Sequence, residues 1–380
     1  MSLVTNQVRE GKSLEYKQEL PGNSDSDKKE FLADVSSFAN AGGGHLIYGC
    51  KEKREDGQPS GLPEELIGLP DINADFEINR LSQIVLFGIE PRIQGFEIGV
   101  VTNSQQAPLV VVSIPKSLDS PHMVKFQNHS RFFSRTDGGK FQLDVNDIRS
   151  SILKGRDLRE NISSFCLQRI SKIRAGETPI PVSDGIQVVL HIVPIDSFAS
   201  DRTPDLSALS TGQNLCPLNS NGWGHRYNFD GLLVNSTYSE ATPALSYVQV
   251  FRSGALEAFM SYGDDDRRLI PSLSLEKTII DGIGRYSKSL EELDRRAPMI
   301  VRLSLLNTQG ALLAIKSSGF WPDQEFRLKE NDLLLPEVYL EEVGEAIAPQ
   351  MRSAFDVLWQ AAGHRRSINF DINGKWSPKA

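Results

Sequence analysis

Cysteine is scarce and scattered: Cys50, Cys166 and Cys216 are the only three in 380 residues, and no Cys-x-x-Cys pair occurs. That excludes a disulfide framework and a cysteine-based structural zinc site, and it points to a reducing compartment. Long apolar runs are missing too. The opening MSLVTNQVREGKSLEYK has no apolar segment of the signal-peptide kind, and stretches such as Pro108 to Pro115 fall far short of the roughly 18 residues a membrane helix needs. A cytoplasmic chain without a membrane segment is expected. An excess of positive charge is also lacking. Net charge is −8, with 19 Lys+Arg against 23 Asp+Glu up to Glu160 and 22 against 26 beyond it, so each half carries −4. A general nucleic-acid coat protein, which must neutralise many phosphates, is thereby disfavoured. There is no internal repeat, heptad run or low-complexity tract.

What is present is an ordinary globular composition, with 39% hydrophobic and 24% charged residues. The length suits two domains, each large enough to bury its own core. The first half alternates short elements. Ser13 to Gln18 reads as a strand and Pro21 to Asp27 as a loop with Ser and Asp N-cap candidates. The helix that follows carries Phe31, Leu32, Val35, Phe38 and Ala39 on one stripe and ends at Gly42-Gly43-Gly44. His45 to Cys50 is the next strand, Lys51 to Gly61 a charged loop, Asn73 to Phe87 a helix, and Leu109 to Ile114 and Arg131 to Ser134 strands. Asp144 caps a further helix. A mixed α/β domain over residues 1–160 is expected, then a connecting helix (Leu158 to Ile173) and linker over 161–184. A second α/β domain of unnamed fold spans 185–380, with strands near Ile186 to Ile192, Gly231 to Val234, Leu245 to Arg252 and Ile300 to Leu306. Its helices are expected near Leu275 to Tyr286 and Val343 to Ala361.

The chemistry concentrates in the first fifty-five residues. Glu10 and Glu15 lie five apart, which regular structure alone does not converge, but Gly11 between them permits a turn that folds Glu10 towards Glu15. Lys17 shares a strand face with Glu15. Glu52 follows the next strand. Carboxylates at strand ends with a neighbouring Lys are what a divalent-metal phosphodiesterase needs: hard oxygen ligands for Mg²⁺ or Mn²⁺ and a cation for developing charge. The same residues also fit surface acids with Lys17 as an ordinary ion-pair partner. Further on, Lys116, Lys125, Arg131, Arg135 and Lys140 face only Asp119 and Asp137, with His122 and His129 nearby. This segment reads either as a backbone-tracking basic patch or as a solvated face.

Glu10, then Leu14-Glu15-Tyr16-Lys17, then Phe31 to Phe38 followed by Ala39-Asn40-Ala41-Gly42-Gly43 and Leu46-Ile47-Tyr48-Gly49, resembles the AlbA-like domain of the Schlafen family. The stretches Val110 to Ser117, Ser120-Pro121 and Arg131-Phe132-Phe133-Ser134-Arg135 continue the resemblance, which covers about residues 5–155. The Ala-Asn-x-Gly-Gly segment with Glu-x-Lys upstream is fairly specific in that order. The resemblance implies a mixed α/β nucleic-acid-binding core that in several members cleaves structured RNA, notably tRNA, using three acids. Carried over, those acids are Glu10, Glu15 and Glu52. The third position departs: nuclease members usually have Asp there, whereas this chain has Lys51-Glu52, a longer acid beside an ammonium that competes with a metal.

Other motifs weigh less. Gly42-Gly43-Gly44 lacks a following Lys-Ser/Thr and precedes a strand, so an ATP-binding phosphate loop is the weakest reading. Asn221 to Phe229 interleaves aromatic and polar or basic groups as a base-stacking platform does, and equally as a turn into a half-buried strand does. His364-Arg365-Arg366 complements a helix C-terminus, Cys50 suits a buried small side chain, and His45 strand packing.

The expectation is therefore a nucleic-acid-binding protein whose sharpest form is a Mg²⁺- or Mn²⁺-dependent endoribonuclease, a hydrolase of structured tRNA-like RNA. Glu10, Glu15 and Glu52 would hold the metal and Lys17 would stabilise developing charge. Lys116, Lys125, Arg131, Arg135 and Lys140 would track the backbone. The alternative is a non-catalytic DNA- or RNA-binding or regulatory module. A homodimer is expected, since one such lobe spans little of a folded RNA.

Overall fold

The computed structural model describes residues 2–55, 58–70, 72–102, 107–199, 203–237, 242–263, 266–314, 326–344, 346–371 and 373–378. The chain divides into two compact units, Met1–Glu160 and Asn161–Ala380. Unit 1 holds α1 (Ser2–Thr5), β1 (Leu14–Lys17), α2 (Asp25–Ala41), β2 (Gly44–Tyr48), β3 (Cys50–Glu55) and β4 (Gln58–Leu66). It continues with α3 (Ala74–Gly88), β5 (Ile89–Glu90), β6 (Glu97–Thr102), β7 (Pro108–Ile114), β8 (Met123–Phe126), β9 (His129–Thr136) and β10 (Gly139–Gln142). The division falls within α4 (Val145–Arg174).

Strands order β1-β2-β7-β6 in one sheet and β10-β9-β8-β5 in another, and β3 pairs β4 in a separate hairpin. β1 and β2 are parallel, so the chain must cross over between them, and α2 is that crossover. Ser24 caps α2 by accepting the Asp27 N–H, with Asp25 and Asp27 in the first turn. The apolar stripe read from the sequence is buried: Phe31, Leu32, Val35, Phe38 and Ala39 pack with Leu46, Val110 and Val112. This is the expected mixed α/β class.

The Ala-Asn-x-Gly-Gly segment has two structural reasons. Asn40 Nδ2 donates to the carbonyls of His122 and Phe133, both at 2.8 Å, while its Oδ1 accepts the His122 N–H at 2.6 Å. The helix end is thus tied to β9 and to the segment before β8. Gly43, at φ +76°, lies so close to the end of β7 and the residues just after it that a Cβ would sit 2.7 Å from the Lys116 nitrogen and 2.8 Å from the Ile114 oxygen. Only glycine meets both conditions.

Two sequence expectations are corrected. Lys51 to Gly61, read as a charged loop, lies within the β3–β4 hairpin. β3 is mostly exposed and the pairing is irregular in register, so β3 shows no apolar alternation of the kind that marks a strand. The helices expected before and after residue 155 are one helix, capped by Asp144 Oδ1 on the Asn146 and Asp147 N–H groups. Nothing between them, neither proline nor a capping residue in cap geometry, breaks the ladder.

Unit 2 follows α4 with β11 (Gln187–Pro194), α5 (Asp196–Ala199), β12 (Gly224–Tyr227), β13 (Gly231–Asn235), β14 (Ser246–Phe251), β15 (Leu256–Ser261) and β16 (Leu269–Pro271). Then come α6 (Ser272–Glu291), β17 (Met299–Leu306), β18 (Leu312–Ala314), β19 (Asp332–Leu334), β20 (Val338–Leu340) and α7 (Ile347–Ala361). An eight-stranded sheet runs β12-β13-β14-β15-β11-β17-β19, with β20 also on β17, while β16 and β18 pair separately. Leu190, Val248 and Leu303 face α6 and α7 through Ile279, Ile283, Phe355 and Trp359. The opposite face packs Val189, Leu233, Tyr247 and Phe259 on Ile170 and Ile173 of α4. Covered on both faces, β14 and β15 are buried throughout.

Two carboxylates lie inside this unit. Glu257 takes Arg169 through two bonds of 2.9 Å, His191 Nε2 at 3.0 Å and the Tyr247 hydroxyl at 2.8 Å. Burial works against its ionisation, but Arg169 and His191 outweigh that and hold its pKa down to about 2. Glu276 instead accepts four neutral donors, Trp359 Nε1, Ser367 Oγ, Asn369 Nδ2 and Trp376 Nε1, and so fastens the segment after α7 onto α6. The three cysteines are free and buried.

Asn40→Ala is expected to lower stability by at least about 2 kcal/mol in urea unfolding, because one N–H and two carbonyls lose their partner in a buried position. A loss under about 0.5 kcal/mol would show that the tie is not what holds the helix end.

Candidate functional site

β1 sorts its side chains by face. Tyr16 turns to a small core with Ile47 and Cys50, which leaves Glu15 and Lys17 together on the side of α2. There Lys17 Nζ lies 2.7 Å from Glu15 Oε1 and 3.5 Å from Asp34 Oδ2. Arg135 comes from β9 with Nη1 2.8 Å from Glu15 Oε2, its guanidinium 3.6 Å above the Phe38 ring. Lys140, its cross-strand neighbour on β10, completes the chain with 2.6 Å to Asp34 and 2.8 Å to Glu30. Charges thus alternate Arg135, Glu15, Lys17, Asp34, Lys140, Glu30.

Burial sets the electrostatics. For Glu15 desolvation pushes the pKa up, but the Lys17 and Arg135 charges win and hold it below the ordinary value. For Asp34, only 2% exposed, burial and then the Glu15 charge prevail over Lys17 and Lys140, and the pKa rises. Lys17 is driven up: Asp34 and Glu15 outweigh the opposing effect of burial.

Glu10 follows the expected turn. The Gly11 N–H bonds to the Leu14 carbonyl at 3.0 Å, and the Glu10 carboxylate accepts the Tyr16 N–H at 2.6 Å on β1. Glu52 Oε1 accepts the Gly61 N–H at 2.6 Å, and the Gly61 carbonyl accepts the Glu10 N–H at 2.7 Å. Gly61 therefore joins the two acids. Burial raises the Glu10 pKa against the Tyr16 N–H bond, and the Glu52 and Glu15 charges add to the rise. All three acids occupy one neighbourhood.

A divalent cation on these acids is what the Schlafen resemblance implies, and the geometry tests it. Both Glu15 oxygens are held by cations, and Glu10 and Glu52 each hold a backbone N–H. Among the described residues no group of three His, Cys, Asp or Glu side chains is arranged to hold a metal. The arrangement does not fit a divalent cation as it stands.

The five expected backbone-tracking cations separate into two pairs and Lys116. Arg135 and Lys140 belong to the charge chain, and Arg135 is 6% exposed. Lys125 and Arg131 lie exposed on the β8–β9 hairpin, Lys125 2.8 Å from Glu90 and Arg131 2.8 Å from Gln142 Oε1. Lys116 is half-buried just past β7. Asp34 and Glu30 escaped the sequence reading. The available signal was an acid at position 34 inside the apolar stripe of α2, where an unpaired charge is not tolerated.

Arg135→Met leaves Glu15 buried with one cation. We expect a cost of about 3 kcal/mol in chemical unfolding, with the Glu15 titration, followed by carboxyl carbon NMR, moving upward. Since a depressed carboxylate pKa stabilises above pH 4.5 and loses that contribution as pH falls through the folded value, the variant should also lose the acid-side slope Glu15 gives the wild type. An unmoved Glu15 titration would contradict the pairing.

The Schlafen AlbA_2 family model matches residues 10–144. No curated protein matches the chain. Among solved structures, the N-terminal domain of a RecG-related protein from Nitrosomonas europaea aligns with 37% of this chain and 88% of its own at 23% identity and a TM-score of 0.27. That likeness is too distant to carry an argument. Among the described residues no helix is long and apolar enough to cross a membrane. The family match spans all of Glu10, Glu15, Lys17, Glu52 and the β8–β9 cations, so residues 10–144 are a Schlafen/AlbA-like domain.

Proposed function

We propose that unit 1 binds nucleic acid, with structured RNA as its substrate class. The observation that carries this reading is the position of Lys125 and Arg131, both exposed on one hairpin of the domain that the Schlafen AlbA_2 model matches. Their partners are surface groups that a phosphate displaces at little cost, since an exposed ion pair contributes at most about 1 kcal/mol. Lys125→Ala with Arg131→Ala should weaken binding of a tRNA pool and flatten the slope of log affinity against log salt by one to about two units. Unchanged affinity and slope would leave the hairpin a solvated face.

A second, finer reading is a Mg²⁺- or Mn²⁺-dependent endoribonuclease, and the observation favouring it is that Gly61 hydrogen-bonds both Glu10 and Glu52 while the Glu10 carboxylate accepts the Tyr16 N–H next to Glu15. It requires Glu15 to exchange Lys17 and Arg135 for a metal. The test is cleavage of the tRNA pool with either ion by wild type and Glu15→Gln. Cleavage by the wild type that the variant abolishes supports it. Equal turnover in both, or none in the wild type while RNA is bound, ends it in favour of a non-catalytic binding module. Pairing of two copies belongs to the same reading: Val145, Ile152 and Leu153 on the first half of α4 leave apolar surface exposed.

A further inference from the structure

Trp223, His225, Tyr227 and Phe229 place rings at four successive alternate positions along one strand and its turn. The opposed residues fix the face. His225 lies opposite Val234 and Tyr227 opposite Leu232, and both partners point into the core beneath α6. His225 and Tyr227 therefore rise on that face, while Arg226, opposite Leu233, is on the other. Trp223 packs against the same core and donates its Nε1 to the Thr211 carbonyl at 3.0 Å. Exposure grows along the row, from half-buried Trp223 to Tyr227 at 58% and Phe229 at 93%. The turn that presents Phe229 is fixed. The Asn228 N–H bonds to the Gly231 carbonyl and the Gly231 N–H to Asn228 Oδ1, both at 2.8 Å. Arg252 Nε holds the Phe229 carbonyl at 2.8 Å and Nη2 the Asn228 carbonyl at 3.3 Å. The backbone of the turn is thus held while the Phe229 ring stands in water.

We propose that β12 is a stacking rack for single-stranded nucleic acid on unit 2. Alternate residues of a strand stand about 6.6 Å apart, roughly twice the step of about 3.4 Å between bases along one strand of a duplex. Rings at that spacing meet the bases of an extended, unstacked strand and not those of a helix. β12 ends the sheet order, beside β13 alone, so the row stands at an edge that a flexible chain can reach. One cation stands at the turn itself, Arg252, whose guanidinium holds the Asn228 and Phe229 carbonyls, while Arg226 lies on the opposite face of the strand. The inference rests on the nucleic-acid reading of unit 1 and names a second contact, specific for single strands.

The full chain is titrated against a fluorescent oligouridylate and an RNA duplex of equal length. Tyr227→Ala with Phe229→Ala should lose at least about fivefold affinity per ring for the oligouridylate, while duplex affinity and the salt slope stay unchanged. Phe229→Trp should keep single-strand affinity, with the new indole quenched on binding. Single-strand affinity unaltered in the double variant, or equal loss on both probes, overturns the rack. That includes the case in which this edge serves a peptide. A wild type that binds duplex but no single strand overturns the rack and spares the reading of unit 1; one that binds neither overturns both.

Discussion

Glu15 on β1 and Asp34 on α2 lie near one another and largely shielded from water, and neither can do so as a lone charge. Everything around β1 answers that constraint. β1 and β2 are parallel so that α2 crosses over the acids. β9 and β10 pair in the register that sets Arg135 beside Lys140. Phe38 lends its ring face to the guanidinium, which burial would otherwise leave poorly solvated. The alternation of sign through six side chains lets each ion be shared, and the helix, the first sheet and the second sheet are thereby bound by one chain of charge as well as by the apolar core.

Much of this was legible in the residues. Gly11 permits the turn that brings Glu10 back to β1, and the two-residue period of a strand pairs Glu15 with Lys17. The apolar stripe of α2 and its glycine terminus were readable because local spacing determines them. The β3–β4 hairpin was not, since a strand exposed on both faces has no pattern to show. Nor was Asp34, the acid that Lys17 and Lys140 share. Asp34 meets Lys140 across 106 positions, and only the folded crossover brings such groups together. The five cations of residues 116–140 look alike in sequence, yet Arg135 is enclosed over the Phe38 ring of α2 while Arg131, four residues earlier on the same strand face, is exposed.

The two units handle buried carboxylates differently. Unit 1 links acids and cations in a chain that runs from buried Arg135 and Asp34 out to exposed Glu30. Unit 2 encloses Glu257 with a bidentate arginine and gives Glu276 four neutral donors, geometries that fix a fold and leave no open position. The first runs out to the surface at Glu30, 64% exposed; the second does not reach it.

The burial of every cysteine has a practical side. Desolvation pushes the Cys50 and Cys166 thiols up to about 12 and raises Cys216 as well, so at neutral pH the reactive thiolate is a vanishing fraction of each. The native chain should thus be nearly inert to maleimides and disulfide reagents while folded. A single cysteine introduced on an exposed turn would then be the one site that labels, which makes spin or dye attachment at chosen positions straightforward without first stripping the native residues.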